Sequence, residues 1–276
     1  MNLLNMLPWQ WIQYDFMKTA LLAVLLATPM FGLMGPLVIN RNMTFFSDSL
    51  GHSAFTGIAL GVILGIGDPL IAMCGFALLY SLTLVLVHRN SRTAADTTIS
   101  VFSSTAIALG LVLLSRNGGF QKYSWYMVGD LLSIQPGDLW VMLGAFAMML
   151  VFLAITYNRL LMMSVNEALA HSRGIPTVAL DVAFTCMVAL VVMVSIRWVG
   201  VLMINSLLIL PAATARNLSR SAAAYQWLSI GLAMCAGVSG LILSFYLQTV
   251  TGATIVLLLA AAYVCSLLWH QWTTTG

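Results

Sequence analysis

Apolar stretches long enough to cross a bilayer recur along this chain, separated by short polar breaks, with almost no charge left over to face water. The runs fall near residues 15–39, 46–66, 69–88, 97–115, 137–157, 177–197, 199–215, 222–247 and 251–269. A spanning helix needs about 20 such residues, and only helices or closed barrels satisfy their own backbone in hydrocarbon. Charged residues make up 7% of the 276 positions, against about 25% in an ordinary soluble domain; the mean hydropathy is +0.98. The sequence predicts an all-α, polytopic transmembrane helix bundle of about eight or nine spans. Residues 1–276 form a single transmembrane domain in this reading, with no room for a soluble one.

A net charge of +3 without a basic run points to the lipid bilayer as surroundings and excludes nucleic acid as a partner. Alternate loops carry Arg41, Arg89, Arg92, Arg159, Arg173, Arg216 and Arg220, and the opposite set carries Lys18, Arg116, Lys122 and Arg197. The first set is expected on the cytoplasmic side, with the N-terminus outside and the C-terminus inside. Trp9, Trp11, Trp125, Trp198, Trp269 and Trp272 flank apolar runs and are expected as interfacial anchors. Cys74, Cys186, Cys235 and Cys265 all fall within apolar runs without CxxC spacing, so they read as small core side chains. The seventeen methionines read as core filler in the same way. The first run, Phe16 to Ile39, exceeds a signal-peptide core and reads as a retained helix.

Two segments depart from this pattern. From Asn40 to Ser53 the chain is polar, yet it runs directly into Ala54 to Gly61. A helix here is discontinuous or polar at its start, as ion-handling helices are. Gly57, Gly61 and Gly65, four apart, form a ridge that lets another helix approach closely. Asp48 and His52 are also four apart, which puts a carboxylate and an imidazole on one helix face. An acid at membrane depth costs roughly 2.5–3.5 kcal/mol, so the pair is a functional-site candidate, and its oxygen and nitrogen suit a divalent metal ion. Ser49 and Ser53 are placed to orient these two ligands. The second segment, residues 165–176, reads as a short helix with a Gly174 stop and a following Pro176. Its place in a cytoplasmic loop suits it to docking a partner.

These residues resemble a known family, the metal-ion permeases of bacterial ATP-binding-cassette importers that handle zinc, manganese and iron. The likeness rests on Asp48-Ser49-Leu50-Gly51-His52-Ser53 leading to Gly57; on Tyr126 to Ile134 around Gly129-Asp130-Leu131; and on Glu167 to Gly174. Val199 to Arg216 and Gly252 to Val256 complete it, in the expected order. The resemblance implies a permease of the plasma (inner) membrane that pairs with a second copy of itself and binds two cytoplasmic ATP-binding subunits. A periplasmic or lipid-anchored metal-binding protein would deliver the ion. It assigns metal ligation to Asp48 and His52. It makes residues 165–176 a coupling helix, with Glu167, Ala168, Arg173 and Gly174 docking the ATPase. Thr56 stands where manganese and iron members often carry proline, which leans toward zinc. The transported ion is Zn2+ in this reading, Mn2+ or Fe2+ in the alternative, and no cofactor is resident. His88, His171 and His270 read as solvated rather than ligating. The chain is not itself an enzyme: neither Lys18 nor Lys122 stands in a GxxxxGK[ST] loop.

Two rivals are visible. Tyr14-Asp15 and Gly65-Ile66-Gly67-Asp68 mimic the paired motifs of intramembrane aspartyl proteases. Each aspartate lies at a helix end, however, and Pro211-Ala212-Ala213 is not the Pro-Ala-Leu element that class requires. A self-sufficient ion carrier would bury several acids, whereas Asp181 is the one other candidate inside a long apolar run, read as lying at the membrane surface. Asp15→Asn and Asp68→Asn are therefore expected to leave divalent-ion uptake by cells at the wild-type rate; a loss with either one supports the protease reading.

Overall fold

The computed structural model describes residues 10–90, 95–116 and 123–275. Trp9, Arg92 and Lys122 lie outside them, as do the side chains of Arg116, Trp125 and His270. The order is α1 (Asp15–Asn40), α2 (Thr44–Ile63), α3 (Pro69–Asn90), α4 (Ala95–Arg116) and α5 (Pro136–Val165). The short α6 (Glu167–Ser172) follows, then α7 (Thr177–Val199), α8 (Val201–Leu218), α9 (Ala222–Leu247) and α10 (Thr251–Thr275). Among the described residues there are no strands. Among the described residues seven helices (α1, α3, α4, α5, α7, α9 and α10) are long and apolar enough to cross a membrane. The other two long helices, α2 and α8, correspond to the interrupted runs at 46–66 and 199–215. Their polar residues lower their hydropathy, and neighbouring helices cover them instead of lipid.

α1 forms the axis. Most of its length is buried, including Met30, Met34, Leu37 and Val38, which suits a retained helix. It holds Pro29 and Pro36 without breaking, and the Gly32 carbonyl that Pro36 frees accepts from Gln226 on α9 at 3.3 Å. Small residues let α8 and α9 approach closely. A Cβ on Gly35 would meet the Leu208 carbonyl at 2.3 Å, and one on Gly32 would meet the Ile230 backbone at 2.7 Å. On α2, Gly57 rests on Met73 and Gly61 on Ala72, both on α3. Gly65 does not join that ridge: it lies beyond the end of α2 at φ +71.

The structure corrects the aromatic expectation. Trp11 and Trp198 are buried inside the bundle, whereas Trp269 and Trp272 are exposed. Trp140 and Trp227, near the starts of α5 and α9, are exposed as well. An indole beside a helix end goes to whichever neighbour covers it, and sequence position alone does not reveal that. Cys235 and Cys265 likewise lie on exposed faces rather than in the core; all four cysteines are free.

The tightest joint lies between α7 and α8. Gly200 (φ +85) separates them, and its backbone lies against Gly129 (φ +68), in the loop that precedes α5. A Cβ on Gly200 would meet Val128 at 2.3 Å, and one on Gly129 would meet Gly200 at 2.3 Å. Both positions need positive φ and bare backbone. Gly200→Ala adds roughly 1–3 kcal/mol of backbone strain to that clash, because φ 85, ψ 152 is a region essentially reserved for glycine, so its melting temperature in detergent should fall by roughly 5 °C or more. Gly144→Ala, which meets nothing within 4 Å, should melt with the wild type.

Candidate functional site

The polar start of α2 is shaped by the turn before it. Asn42 takes φ +55, a left-handed conformation that asparagine tolerates, and the Met43 amide donates to Val38 at 3.0 Å. That reversal lays α2 back along the bundle. α2 is continuous from Thr44, so of the two forms expected it is the polar-start form that the chain adopts. Ser47 donates to the Thr44 carbonyl at 2.9 Å and to Asn205 Oδ1 on α8 at 2.5 Å. Gly51 lies against Val201, also on α8.

Asp48 and His52 share one face, with Asp48 Oδ2 3.9 Å from His52 Nε2. Their side chains are half-exposed, 47% and 34%, beside exposed Phe45. No described residue covers that stripe fully. Zinc bound tetrahedrally at about 2.0–2.2 Å holds its ligand atoms about 3.4 Å apart. The pair thus needs to close by only about half an ångström to share an ion. Among the described residues no three His, Cys, Asp or Glu side chains cluster as a metal site. One copy of the chain offers half a tetrahedral shell on an open face.

The two serines act elsewhere. Ser49 is hydrogen-bonded to the Tyr80 hydroxyl on α3, and Ser53 donates to the Leu50 carbonyl. These bonds fasten α2 to α3 and to itself, and neither runs to Asp48 or His52. Thr56 donates to the Ala106 carbonyl, fastening α2 to α4.

A charged cluster that the sequence had scattered among loops gathers at the α6 end of the bundle. Asp181, near the start of α7, accepts from Arg41 on one oxygen and from Arg89 on the other. Arg89 also donates to Glu167 Oε1 at 2.9 Å. The Arg41 side chain is only 10% exposed, and its guanidinium lies 5.4 Å from the Phe184 ring centre. Burial pushes the Arg41 guanidinium below its ordinary pKa, and the nearby Glu167 carboxylate works against that shift. Asp181 is thus a counter-charge held by two arginines of its own chain. His88 is half-buried against the same cluster instead of being solvated, while His171 is exposed. Glu167 sits in the first turn of α6, which Asn166 caps by accepting from Leu169 at 2.9 Å. Ala168 and Arg173 are exposed, and Gly174 (φ +75) ends the turn in open space. The signal for this cluster was present in Asp181 itself: an acid in an apolar run demands a counter-charge.

At the opposite end, Asp68, Tyr126 and Arg197 line a second cavity, and Arg197 donates to Asp138 at 3.1 Å. Asp68 caps α3 by accepting from the Leu70 amide at 2.9 Å, and Asp15 pairs with Lys18 at 2.8 Å. Each has a local helix-end partner. Asp130 caps a short turn in the same way, accepting from Leu132 at 2.9 Å.

The model of the ABC 3 transport family matches residues 13–270. The chain is 32% identical over 258 residues to the high-affinity zinc uptake system membrane protein ZnuB of Haemophilus influenzae, covering 93% of this chain and 97% of that one. It is 29% identical to the manganese import system permease protein ScaB of Streptococcus gordonii, over 92% and 91% of the two chains. Among solved structures, a chain of PsaBC from Streptococcus pneumoniae in complex with Fab superposes with a TM-score of 0.82. That match has 28% identity and covers 93% and 94% of the two chains.

Ser49→Ala leaves the buried Tyr80 hydroxyl without its partner, at a cost of about 1–3 kcal/mol. The single variant should melt several degrees below wild type. Ser49→Ala combined with Tyr80→Phe should recover at least half of that loss; a double variant as unstable as the sum of the singles sinks the assignment.

Proposed function

The chain belongs to the ABC 3 transport family, and on that footing we propose that it is the membrane permease subunit of an ATP-driven importer of divalent metal ions, zinc first. The whole chain acts as one permease domain in the bacterial inner membrane. Energy comes from separate ATP-binding subunits, two per complex, and the ion from a metal-binding protein on the outer side. α6, residues 167–172, is the docking helix, with Ala168, Arg173 and Gly174 on the side open to a partner and Glu167 at its base.

The observation that carries this reading is the half-exposed Asp48–His52 stripe on a helix buried along most of its length. A divalent ion cannot enter hydrocarbon without ligands that replace its water. Two copies facing each other across a two-fold axis would bring two carboxylates and two imidazoles together. That set cancels the charge of Zn2+ and suits tetrahedral coordination. Because half of the shell belongs to each copy, any rearrangement that separates the copies also releases the ion.

Manganese is the second reading, favoured by the likeness to the manganese permease of Streptococcus gordonii; ferrous iron shares the same chemistry. Nitrogen and oxygen donors bind zinc more tightly than either, which puts zinc first. Loss of an outer-shell partner alone costs about 10–100-fold in metal affinity or activity, so removing a ligand should cost at least as much. Asp48→Ala and His52→Ala are expected to lower radiolabelled zinc uptake in starved cells by roughly 100-fold. Both variants should still insert and still co-purify with the ATPase. Normal uptake by the His52 variant overturns the ligand assignment, and uptake of manganese but not zinc by the wild type selects the second reading.

A further inference from the structure

The four charged residues at the α6 end form one unbroken chain of ion pairs across four parts of the fold. Glu167 belongs to α6, Arg89 to the end of α3, Asp181 to α7, and Arg41 to the turn between α1 and α2. Arg41 stands three residues before Thr44, the first residue of α2. Along α2, Asp48 and His52 lie about 6 and 12 Å from that start. A displacement of α6 therefore has a continuous charged route to the head of the helix that carries the metal pair.

The middle of this route is anchored and its surroundings leave room. Arg41 is clamped on α7 twice, by the Asp181 carboxylate and by the Phe184 ring, whose centre lies 5.4 Å from the guanidinium. A cavity of about 170 Å³ lies against the same groups, lined by Arg41, Asn42, His88, Arg89, Glu167 and Asp181. Arg89 holds two carboxylates at once, one on α6 and one on α7, so it is the joint between the docking helix and the bundle.

We infer that Asp181 and Arg89 are positioning residues that transmit movement of α6 to the Arg41 turn, and so couple ATP hydrolysis to opening and closing of the Asp48–His52 face. This rests on the reading of α6 as the docking helix. The alternative is that the ion pairs only hold the bundle together, in which case weakening them changes stability and leaves stoichiometry alone.

The test uses the complete complex, with its ATPase and binding protein, reconstituted in proteoliposomes; zinc import and ATP hydrolysis are measured in the same sample. Arg89→Gln breaks the joint to α6 while leaving the buried Arg41–Asp181 pair intact, so it should assemble normally. Coupling free energies of ordinary size change equilibria roughly 5–150-fold, and the number of ions moved per ATP should fall by about tenfold in this variant. Asp181→Asn should fall similarly, and Asp181→Glu, which can still bridge two arginines, should restore most of the ratio. If Arg89→Gln keeps the wild-type ratio of ions to ATP, or if Asp181→Glu is as uncoupled as Asp181→Asn, the inference is overturned. A wild-type complex that moves no divalent metal would instead overturn the proposed function.

Discussion

In hydrocarbon a polar group without a partner costs several kcal/mol, and α2 brings Thr44, Ser47, Asp48, Ser49, His52, Ser53 and Thr56 into its first four turns. The fold is arranged around keeping that helix out of lipid. α3, α4, α7 and α8 all border it, and its hydroxyls are spent on them: Ser47 on Asn205, Ser49 on Tyr80, Thr56 on the Ala106 carbonyl. Among its charged and titratable groups, Asp48 and His52 remain half-exposed. A carboxylate and an imidazole stay half-exposed on a helix whose serines and Thr56 are all hydrogen-bonded.

Close approach of helices makes this enclosure possible. Leucine gains nothing by leaving lipid for a neighbouring helix, so association in a membrane depends on contact area and on small residues. Gly35 on α8, Gly57 and Gly61 on α3, and the Gly129–Gly200 stack bring backbones within direct contact. The stack fixes where α7 ends and α8 begins. Through Gly51 against Val201, it also fixes the flank of α2 beside Asp48 and His52.

The charged end follows a different logic. Arg41 is too buried to be left alone; breaking a buried ion pair by removing one partner costs about 3–5 kcal/mol. Asp181 supplies that partner and is shared with Arg89, which reaches Glu167 in turn. The sharing turns a stabilising necessity into a connection between the short loop helix and the bundle. Glu167, expected as a residue offered outward, is held by its own chain on one side.

Composition and the spacing of apolar runs were enough to specify an all-helical membrane bundle, because hydrocarbon leaves a backbone so few options. The i, i+4 spacing of Asp48 and His52 placed them on one face for the same reason: local helix geometry does not depend on what surrounds it. The short helix at Glu167 was legible from its Gly174 stop and the following Pro176. Other features depended on contacts between residues far apart in sequence. These include the burial of Trp11 and Trp198, the partners of Ser49 and Ser53, the departure of Gly65 from its ridge, and the meeting of Arg41, Arg89, Glu167 and Asp181. A residue's own position fixes which way it leaves its helix, but only the packing of the other helices decides whether it meets lipid, water or an opposite charge.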